Sequence, residues 1–168
     1  VKILERKNFG VVSGETDNTE LQDIVDLEGN VIGVLPRGVI WDNQLQNYTK
    51  VINAFVVEDE KILLPIRSNK KRLLPGGYDY TCGENLKAGE SFEEGLHRGM
   101  LEELGVSNFS FEDRGMFKPN LTKGLYCFGR VYLVKIIGEN NLRYSQDEIS
   151  AVEWRSKFEI RELLRLFP

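Results

Sequence analysis

Histidine is nearly absent from this chain of 168 residues, since His97 is the only one. One imidazole excludes, within a single chain, any site that needs two or three of them. Zinc clusters of Cys and His and the deaminase site built on His-x-Glu are therefore ruled out. Acidic residues are plentiful, so a site that binds a hard cation through carboxylates stays open.

Cysteines and long apolar runs are also scarce. Two cysteines, Cys82 and Cys127, form no disulfide framework and predict a reducing cytoplasm. No apolar run reaches the roughly 18 residues of a membrane span, and the first residues, which alternate charged and apolar side chains, predict no signal peptide. With 22 Lys and Arg against 26 Asp and Glu, the net charge is −4, so no basic surface for nucleic acid is expected.

The length predicts one domain, because domains usually have about 100–200 residues. Residues 1–18 show no clear pattern and are predicted to form a lead-in strand or arm, whereas residues 19–168 are predicted to form the domain. Two apolar runs, Leu21–Leu27 and Val31–Leu35, flank a Gly-Asn turn and predict a β-hairpin.

Further strands and helices are expected along the rest of the domain. Val51–Val57 and Lys61–Arg67 predict a second hairpin, in which Pro65 indicates a sheet edge or a bulge. The other expected elements are a helix between Ser91 and Leu104, strands at Leu125–Ile137 and Ile149–Trp154, and a closing helix at Phe158–Leu166. Strands that precede and follow one central helix predict an α+β sandwich.

The central helix has an apolar face and an acidic face. Ser91 is a suitable N-cap and Gly105 a suitable stop. At 100° per residue, Arg98, Glu102 and Glu103 lie away from the apolar face. The adjacent carboxylates of Glu102 and Glu103 repel each other on this face, unless a cation such as Mg²⁺ neutralises them. A solvated acidic face is the alternative interpretation.

Residues 84–106 resemble the Nudix box, G-x5-E-x7-R-E-U-x-E-E-x-G-U, in which U is aliphatic. Seven of its nine defined positions match, namely Glu90, Arg98, Met100, Glu102, Glu103, Gly105 and Val106. The resemblance covers roughly residues 20–165, and the early hairpin is similar to the branch near isopentenyl-diphosphate isomerase. That isomerase itself is rejected, because its metal site uses several histidines.

The resemblance implies a fold, a reaction and a cofactor. The fold would be a Nudix-type α/β/α sandwich with a mixed β-sheet. The reaction would be Mg²⁺- or Mn²⁺-dependent hydrolysis of a phosphoanhydride bond in a nucleoside diphosphate linked to another group. Glu102 and Glu103 would hold the metal and serve catalysis, whereas Glu90, Arg98 and Gly105 would be structural. The expected partner is a small molecule, with no nucleic acid or membrane, and the family allows a homodimer.

Three more groups of residues are candidates for the site. Arg67 and Lys71, in a basic cluster with Lys70 and Arg72, could hold a diphosphate or belong to a solvated loop. Tyr78, with Tyr126 and Phe128, could stack on a base or pack in the core. Glu148, after Asp147, would be a base, an extra ligand or a turn residue.

Two positions depart from the family pattern. The opening glycine of the box is Glu84, and the metal-binding Glu that follows the arginine is Gly99. Glu84 would either compensate for the lost carboxylate as a metal ligand, or the domain would bind a ligand without hydrolysing it. Gly95 and Gly99 each cost about 1 kcal/mol of helix stability relative to Ala, so they are expected to make room for bulky neighbours.

Overall fold

The computed structural model describes residues 18–71, 74–120, 127–138, 142–145 and 147–166. The strands are β1 (Leu21–Val25), β2 (Val31–Pro36), β3 (Lys50–Glu58), β4 (Lys61–Arg67), β5 (Cys82–Asn85), β6 (Phe109–Phe117), β7 (Phe128–Ile136) and β8 (Ile149–Ser156). The α-helices are α1 (Arg37–Asp42), α2 (Phe92–Leu104) and α3 (Lys157–Leu166), and a short 3-10 helix spans Gln46–Tyr48. Of the predicted N-terminal arm, only Asn18 is among the described residues.

Among the described residues, the main sheet is mixed and comprises six strands. Its strand order is β6-β7-β3-β4-β8, and β5 is an additional partner of β3. β3 runs parallel to β7 and antiparallel to β4 and β5. β5 pairs with the first half of β3, from Val51 to Ala54, whereas β4 pairs only with its end, at Val57 and Glu58. β3 therefore has different partners along its length. β5, the strand that precedes α2, lies beside the first half of β3.

The core lies between this sheet and α2. Leu96, Met100 and Leu104 are buried, as the apolar face of the helix predicts, whereas Leu101 is exposed. They pack with buried side chains of the sheet, which include Ile52, Val56, Leu63, Tyr132 and Val134. Burying one Leu or Met side chain contributes about 1.5–3 kcal/mol, so this contact holds α2 firmly on the sheet. The predicted α+β class is confirmed.

Both predicted hairpins form. β1 and β2 pair antiparallel around a turn in which the Asp26 carboxylate accepts hydrogen bonds from the backbone of Glu28 and Asn30. β3 and β4 are joined by Asp59 and Glu60, which both have positive φ, as in a type I′ turn.

The prediction that Pro65 marks a sheet edge is wrong, because β4 lies between β3 and β8. The alternative, a bulge, agrees with the register shift between Ile66 and Arg67. Proline is tolerated here because its carbonyl accepts from the Asp79 N–H, so its nitrogen lies on the same side, away from the paired strand β8, and the β3–β4 ladder ends before Pro65.

The sequence patterns missed α1, β5, β6 and the short 3-10 helix. β6 is an edge strand whose residues are mostly exposed, so it lacks the alternation of a half-buried strand. β5 has only four residues, Cys-Gly-Glu-Asn, and forms through its pairing with β3. The predicted strand at Leu125–Ile137 corresponds to β7, and Leu125 and Tyr126 lie outside the described residues. No helix in the described ranges is long and apolar enough to cross a membrane.

Candidate active site

Helix α2 begins with a capping box. The Ser91 hydroxyl accepts a hydrogen bond from the Glu94 N–H at 3.2 Å, and the Glu94 carboxylate accepts one from the Ser91 N–H at 2.9 Å. The helix ends at Gly105, which has a φ of 69° and donates its N–H to the carbonyl of Leu101. These caps determine where α2 begins and ends, and hence where its acidic residues lie.

Arg98 connects α2 to the loop before it. Its Nε donates to Glu90 Oε1 at 2.7 Å and its Nη2 to Glu90 Oε2 at 2.9 Å, while Nη2 also donates to the Asn85 carbonyl at 2.9 Å. Burial raises the pKa of Glu90, but the hydrogen bonds from Arg98 and from the Lys87 N–H more than offset it, so this pKa is lowered. The pair thus supports the junction between β5 and α2.

The same guanidinium group reaches two more carboxylates. Arg98 Nη1 lies 3.3 Å from Glu84 Oε2 and 3.1 Å from Glu102 Oε2. Glu84 is largely buried, whereas the side chain of Glu102 is 53% exposed. One nitrogen atom of Arg98 therefore lies between a carboxylate of β5 and a carboxylate of α2.

Glu103 is partly buried and reaches β5. The Cys82 thiol and the Gly83 N–H of β5 favour the ionised form of its carboxyl group and act to lower its pKa. Burial, together with the negative charges of Glu84 and Glu148, raises the pKa of Glu103 to about 8. Carboxyl groups that destabilise one another in this way are typical of functional sites.

Glu84 is influenced by the same surroundings. Its pKa is raised, mainly by burial, and the charges of Glu102 and Glu20 add to this effect. The positive charges of Arg98 and Arg37 oppose it. Glu84 therefore belongs to one electrostatic group with the acidic residues of α2.

Two glycines of α2 allow β5 and the following loop to approach closely. An ideal Cβ at Gly99 would lie 2.9 Å from Cys82 Sγ and 3.1 Å from Glu84 Cβ. An ideal Cβ at Gly95 would lie 2.1 Å from Leu86 Cδ2. The prediction that these glycines make room for bulky neighbours is confirmed.

The basic loop after β4 carries ion pairs to the turn before β8. Lys70 Nζ lies 2.6 Å from Asp147 Oδ1, and Lys71 Nζ lies 2.6 Å from Glu148 Oε1. Lys70 and Asp147 are both mostly exposed, whereas Lys71 is 29% exposed. Lys71 therefore brings this loop next to Glu148, which also influences Glu103.

Arg67 and Tyr78 also have acidic partners. Arg67 forms an ion pair with Asp79. The Tyr78 hydroxyl donates to Glu153 Oε2 at 2.9 Å and accepts from Arg155 Nη2 at 3.2 Å. Asp79 thus holds Arg67 in place on β4, and Glu153 and Arg155 hold Tyr78 beside β8.

Residues 47–167 match the family model of the NUDIX domain. The chain belongs to the Nudix family. It is 31% identical over 148 residues to an uncharacterized Nudix hydrolase of Nostoc sp., which covers 86% of this chain and 85% of the relative. The uncharacterized Nudix hydrolase YfcD of Escherichia coli K12 is 31% identical over 145 residues, covering 85% of this chain and 77% of the relative.

Solved Nudix structures agree with this assignment. DR0079 of Deinococcus radiodurans superposes with a TM-score of 0.75 at 26% identity and covers 88% of this chain and 90% of that chain. A MutT NUDIX hydrolase of Burkholderia pseudomallei shares the fold, with a TM-score of 0.53 at 21% identity, over 71% of this chain and 98% of that chain. The predicted Nudix fold is confirmed, and the chain is an enzyme of the Nudix pyrophosphohydrolase type.

Nudix hydrolases generally use divalent metals, and the chemistry of this site suits such an ion. Within the described parts of the chain, no three His, Cys, Asp or Glu side chains converge in a geometry that would hold a metal. Glu84 and Glu102 are instead engaged by Arg98, and Glu103 by β5. The donors are nevertheless carboxylates that destabilise one another, which fits a hard cation such as Mg²⁺ or Mn²⁺.

Several other candidate residues pack against neighbouring side chains of the fold. Phe128 is buried in the core and offers no surface to a base. His97 stacks on Phe109, with ring centroids 4.7 Å apart, and Cys82 is fully buried, as expected of structural residues. Tyr126 and Arg72 lie outside the described residues.

The N-terminal hairpin adds residues that sequence reasoning missed. The buried carboxylate of Asp23 accepts a hydrogen bond from the Gly89 N–H at 3.1 Å, so β1 docks on the loop before α2. This docking brings Glu20 and Arg37 near Glu84, whose pKa both influence. No local motif indicates this contact, because the residues are far apart in the sequence.

Proposed function

We propose that this Nudix enzyme hydrolyses a phosphoanhydride bond in a nucleoside diphosphate linked to another group, with Mg²⁺ or Mn²⁺ as cofactor. The observation that carries the proposal is Glu103, a partly buried carboxyl whose pKa is raised to about 8 by burial and by Glu84 and Glu148. A bound cation and the phosphates it attracts would relieve this repulsion. Membership of a family of pyrophosphohydrolases supports the reaction type.

Glu102, Glu103 and Glu84 are the residues that would hold the ion. When bound, the ion neutralises the diphosphate and helps to activate water. Arg98, through its contacts with Glu84 at 3.3 Å and Glu102 at 3.1 Å, keeps two of these carboxylates beside each other. Glu90 holds Arg98 in turn, which gives that pair a positioning role.

Glu148 is the proposed proton acceptor, so Glu102, Glu103 and Glu148 form the catalytic set. In hydrolysis, the water oxygen bonds to phosphorus, the bond from phosphorus to the bridging oxygen breaks, and the water proton passes to the carboxylate. Glu148 suits this role because it is exposed to water, yet close enough to Glu103 to influence its pKa. Before substrate binds, Lys71 Nζ lies 2.6 Å from Glu148 Oε1.

Arg67, Lys71 and Tyr78 are the proposed substrate-binding residues. Lys71 and Arg67 would hold the diphosphate, because charged hydrogen bonds to phosphate oxygens are strong. Tyr78 is 39% exposed, so its ring can stack on a base. The acidic partners of Lys71 and Arg67 keep the two cations in place until the diphosphate arrives.

A second candidate function is a module that binds a nucleotide or diphosphate, as a regulatory device, without turnover. It is favoured by Gly99, which replaces a metal-binding Glu of the family, and by the absence of three converging ligands among residues 18–166 as far as these are described. The two functions differ in turnover and share ligand binding, so one assay separates them.

The test is phosphate release from a panel of nucleoside diphosphate compounds with Mg²⁺ or Mn²⁺. Glu103→Gln should abolish turnover, whereas Glu93→Gln, the same change at an exposed position of α2, should leave it within about twofold of the unaltered protein. Metal-dependent turnover that survives Glu103→Gln would contradict the proposed site. Saturable binding of a nucleotide without turnover would favour the binding module.

Two further features belong to the proposal. A homodimer is supported by β2, where Val31, Ile32 and Val34 are 53%, 53% and 46% exposed, since exposed apolar patches favour protein contacts. Sedimentation equilibrium tests it, and a monomer at all concentrations would contradict it. The cytoplasm suits the two unpaired cysteines, Cys82 and Cys127, and cell fractionation would test this localisation.

A further inference from the structure

The two residues that depart from the Nudix pattern lie against each other. Glu84 is on β5 and Gly99 is on the facing side of α2, and an ideal Cβ at Gly99 would be 3.1 Å from Glu84 Cβ and 3.4 Å from Glu84 Cγ. The family pattern has the opposite arrangement, with glycine at the first position and glutamate at the second. The acidic residue and the glycine have therefore changed places across one contact.

The contact leaves little room for two side chains. A Cβ at position 99 would lie 3.1 Å from Glu84 Cβ, closer than most real Cβ contacts, and 2.9 Å from Cys82 Sγ, so β5 would have to shift although it is paired with β3. A glutamate at position 99 would need the space that the stem of Glu84 occupies. Loss of one carboxylate and gain of the other are thus a single coupled change.

We propose that Glu84 supplies, from β5, the metal-binding carboxylate that α2 lacks at position 99. This inference rests on the proposed function, because it assigns one ligand of the same metal site. It names the reason for both departures from the box and predicts that they can be reversed only together.

The position of the Glu84 carboxylate supports the exchange. Its Oε2 lies 3.3 Å from Arg98 Nη1, and Oε2 of Glu102 lies 3.1 Å from the same nitrogen. The two carboxylates therefore already lie on either side of one positively charged group. The Asn85 N–H, which donates to Glu84 Oε1 at 3.1 Å, further fixes the orientation of this carboxylate.

The first test measures Mn²⁺ binding in the absence of substrate. Electron paramagnetic resonance quantifies the Mn²⁺ that stays free. Glu84→Gln keeps the stem of the side chain and removes its charge, and should weaken Mn²⁺ binding by at least about tenfold. Glu93→Gln is the matched control and should bind Mn²⁺ as the unaltered protein does. The thermal midpoint without metal shows that each variant is folded.

The second test exchanges the two residues. Cys82 Sγ would lie 2.9 Å from a Cβ at position 99, so all proteins of this series carry Cys82→Ala. In that background, Glu84→Gly alone should bind Mn²⁺ at least about tenfold more weakly, and Gly99→Glu alone should displace Glu84 and lower the thermal midpoint. The combined Glu84→Gly, Gly99→Glu variant should recover Mn²⁺ binding to within about threefold of the Cys82→Ala parent. The two single variants and the combined variant thus form a double-mutant cycle, in which the effects of residues in contact are not additive.

Binding of Mn²⁺ by Glu84→Gln at the unaltered level would overturn the exchange, as would failure of a folded combined variant to bind better than Glu84→Gly. Absence of Mn²⁺ binding by the unaltered protein would overturn it as well. If Mn²⁺ binding depends on Glu84 as expected and no diphosphate compound is hydrolysed, the exchange stands and the proposed function fails. If a diphosphate compound is hydrolysed while Glu84→Gln leaves Mn²⁺ binding unchanged, the proposed function stands and the exchange fails.

Discussion

Leu86 Cδ2 occupies the space in which a side chain at Gly95 would begin, because an ideal Cβ at Gly95 would lie 2.1 Å from it. Leu86 follows β5, is 2% exposed, and donates its N–H to the Lys50 carbonyl at 3.0 Å. It cannot move without disturbing the core. The glycine therefore allows α2 to lie close to the loop that connects it to β5, at a cost to helix propensity.

We expect Gly95→Ala to destabilise the protein by about 1–3 kcal/mol, the usual effect of overpacking a core. Helix propensity alone predicts the opposite sign, a gain of about 1 kcal/mol. Urea unfolding measures the difference. In a Leu86→Ala background, which removes the obstructing methyl groups, the same substitution should be neutral or stabilising. Stabilisation by Gly95→Ala in the unaltered protein would show that the helix does not need this close approach.

The ion pair of Glu90 and Arg98 should contribute more at neutral than at acidic pH. Because the pKa of Glu90 is lowered in the folded protein, its contribution is present above the ordinary value of 4.5 and is lost as the pH falls through the folded-state value. Glu90→Gln should therefore cost about 1.5–3 kcal/mol at pH 7 and clearly less near pH 3. Urea unfolding at both pH values tests this, with Glu93→Gln as the control. An equal cost at both pH values would contradict the charged pair.

Helix α2 could be predicted because its signals are local. Ser91, Gly105 and the spacing of the buried residues all lie within the helix or next to it, and the structure has the helix at this position. β5 and β6 could not be predicted in this way. β5 exists through its pairing with β3 and β6 through its pairing with β7, and neither carries a period of its own.

The contacts of the candidate site likewise include some that the sequence predicts and others that only the fold creates. The contacts of Arg98 with Glu90 and Glu102 follow from box spacing and from the i, i+4 relation on a helix. The contact of Lys71 with Glu148 joins residues that are 77 positions apart and depends on the pairing of β4 with β8. The reason for Gly99 also required the structure, because only the register of β5 places Glu84 and Cys82 beneath α2.

The metal-free protein should lose stability as the pH rises toward 8. The pKa of Glu103 is raised from 4.5 to about 8 in the folded state. Its neutral form therefore contributes stability that is complete below 4.5 and is lost progressively up to about 8. Relative to Glu103→Gln, which stays neutral, the unaltered protein should lose on the order of 3 kcal/mol between pH 5 and pH 8. Urea unfolding in the presence of a chelator measures this loss.

Mg²⁺ should reverse that loss, because a cation favours the ionised form of Glu103. Repeating the pH 8 unfolding with Mg²⁺ should raise the stability of the unaltered protein and leave Glu103→Gln almost unchanged. Parallel pH profiles for the two proteins without metal would mean that the carboxyl group titrates normally, and the electrostatic argument for this site would then be wrong.

Lys71 should affect substrate binding more than its neighbour Lys70 does. Both lysines lie 2.6 Å from an acidic partner, but the partner of Lys71 is Glu148, which influences Glu103, whereas Asp147, the partner of Lys70, is exposed to solvent. If Lys71 transfers its hydrogen bonds from Glu148 to a phosphate of the substrate, Lys71→Met should raise KM about tenfold, equivalent to about 1.4 kcal/mol. Steady-state kinetics on the best diphosphate substrate provides the measurement.

Lys70→Met is the matched control, since it removes the same charge one residue away, and its KM should stay within about twofold of the unaltered value, as expected for an exposed ion pair. A rise in KM of equal size for both variants would show that the loop acts only through its total charge. A fall in kcat without a change in KM for Lys71→Met would assign Lys71 to the orientation of Glu148 rather than to the substrate.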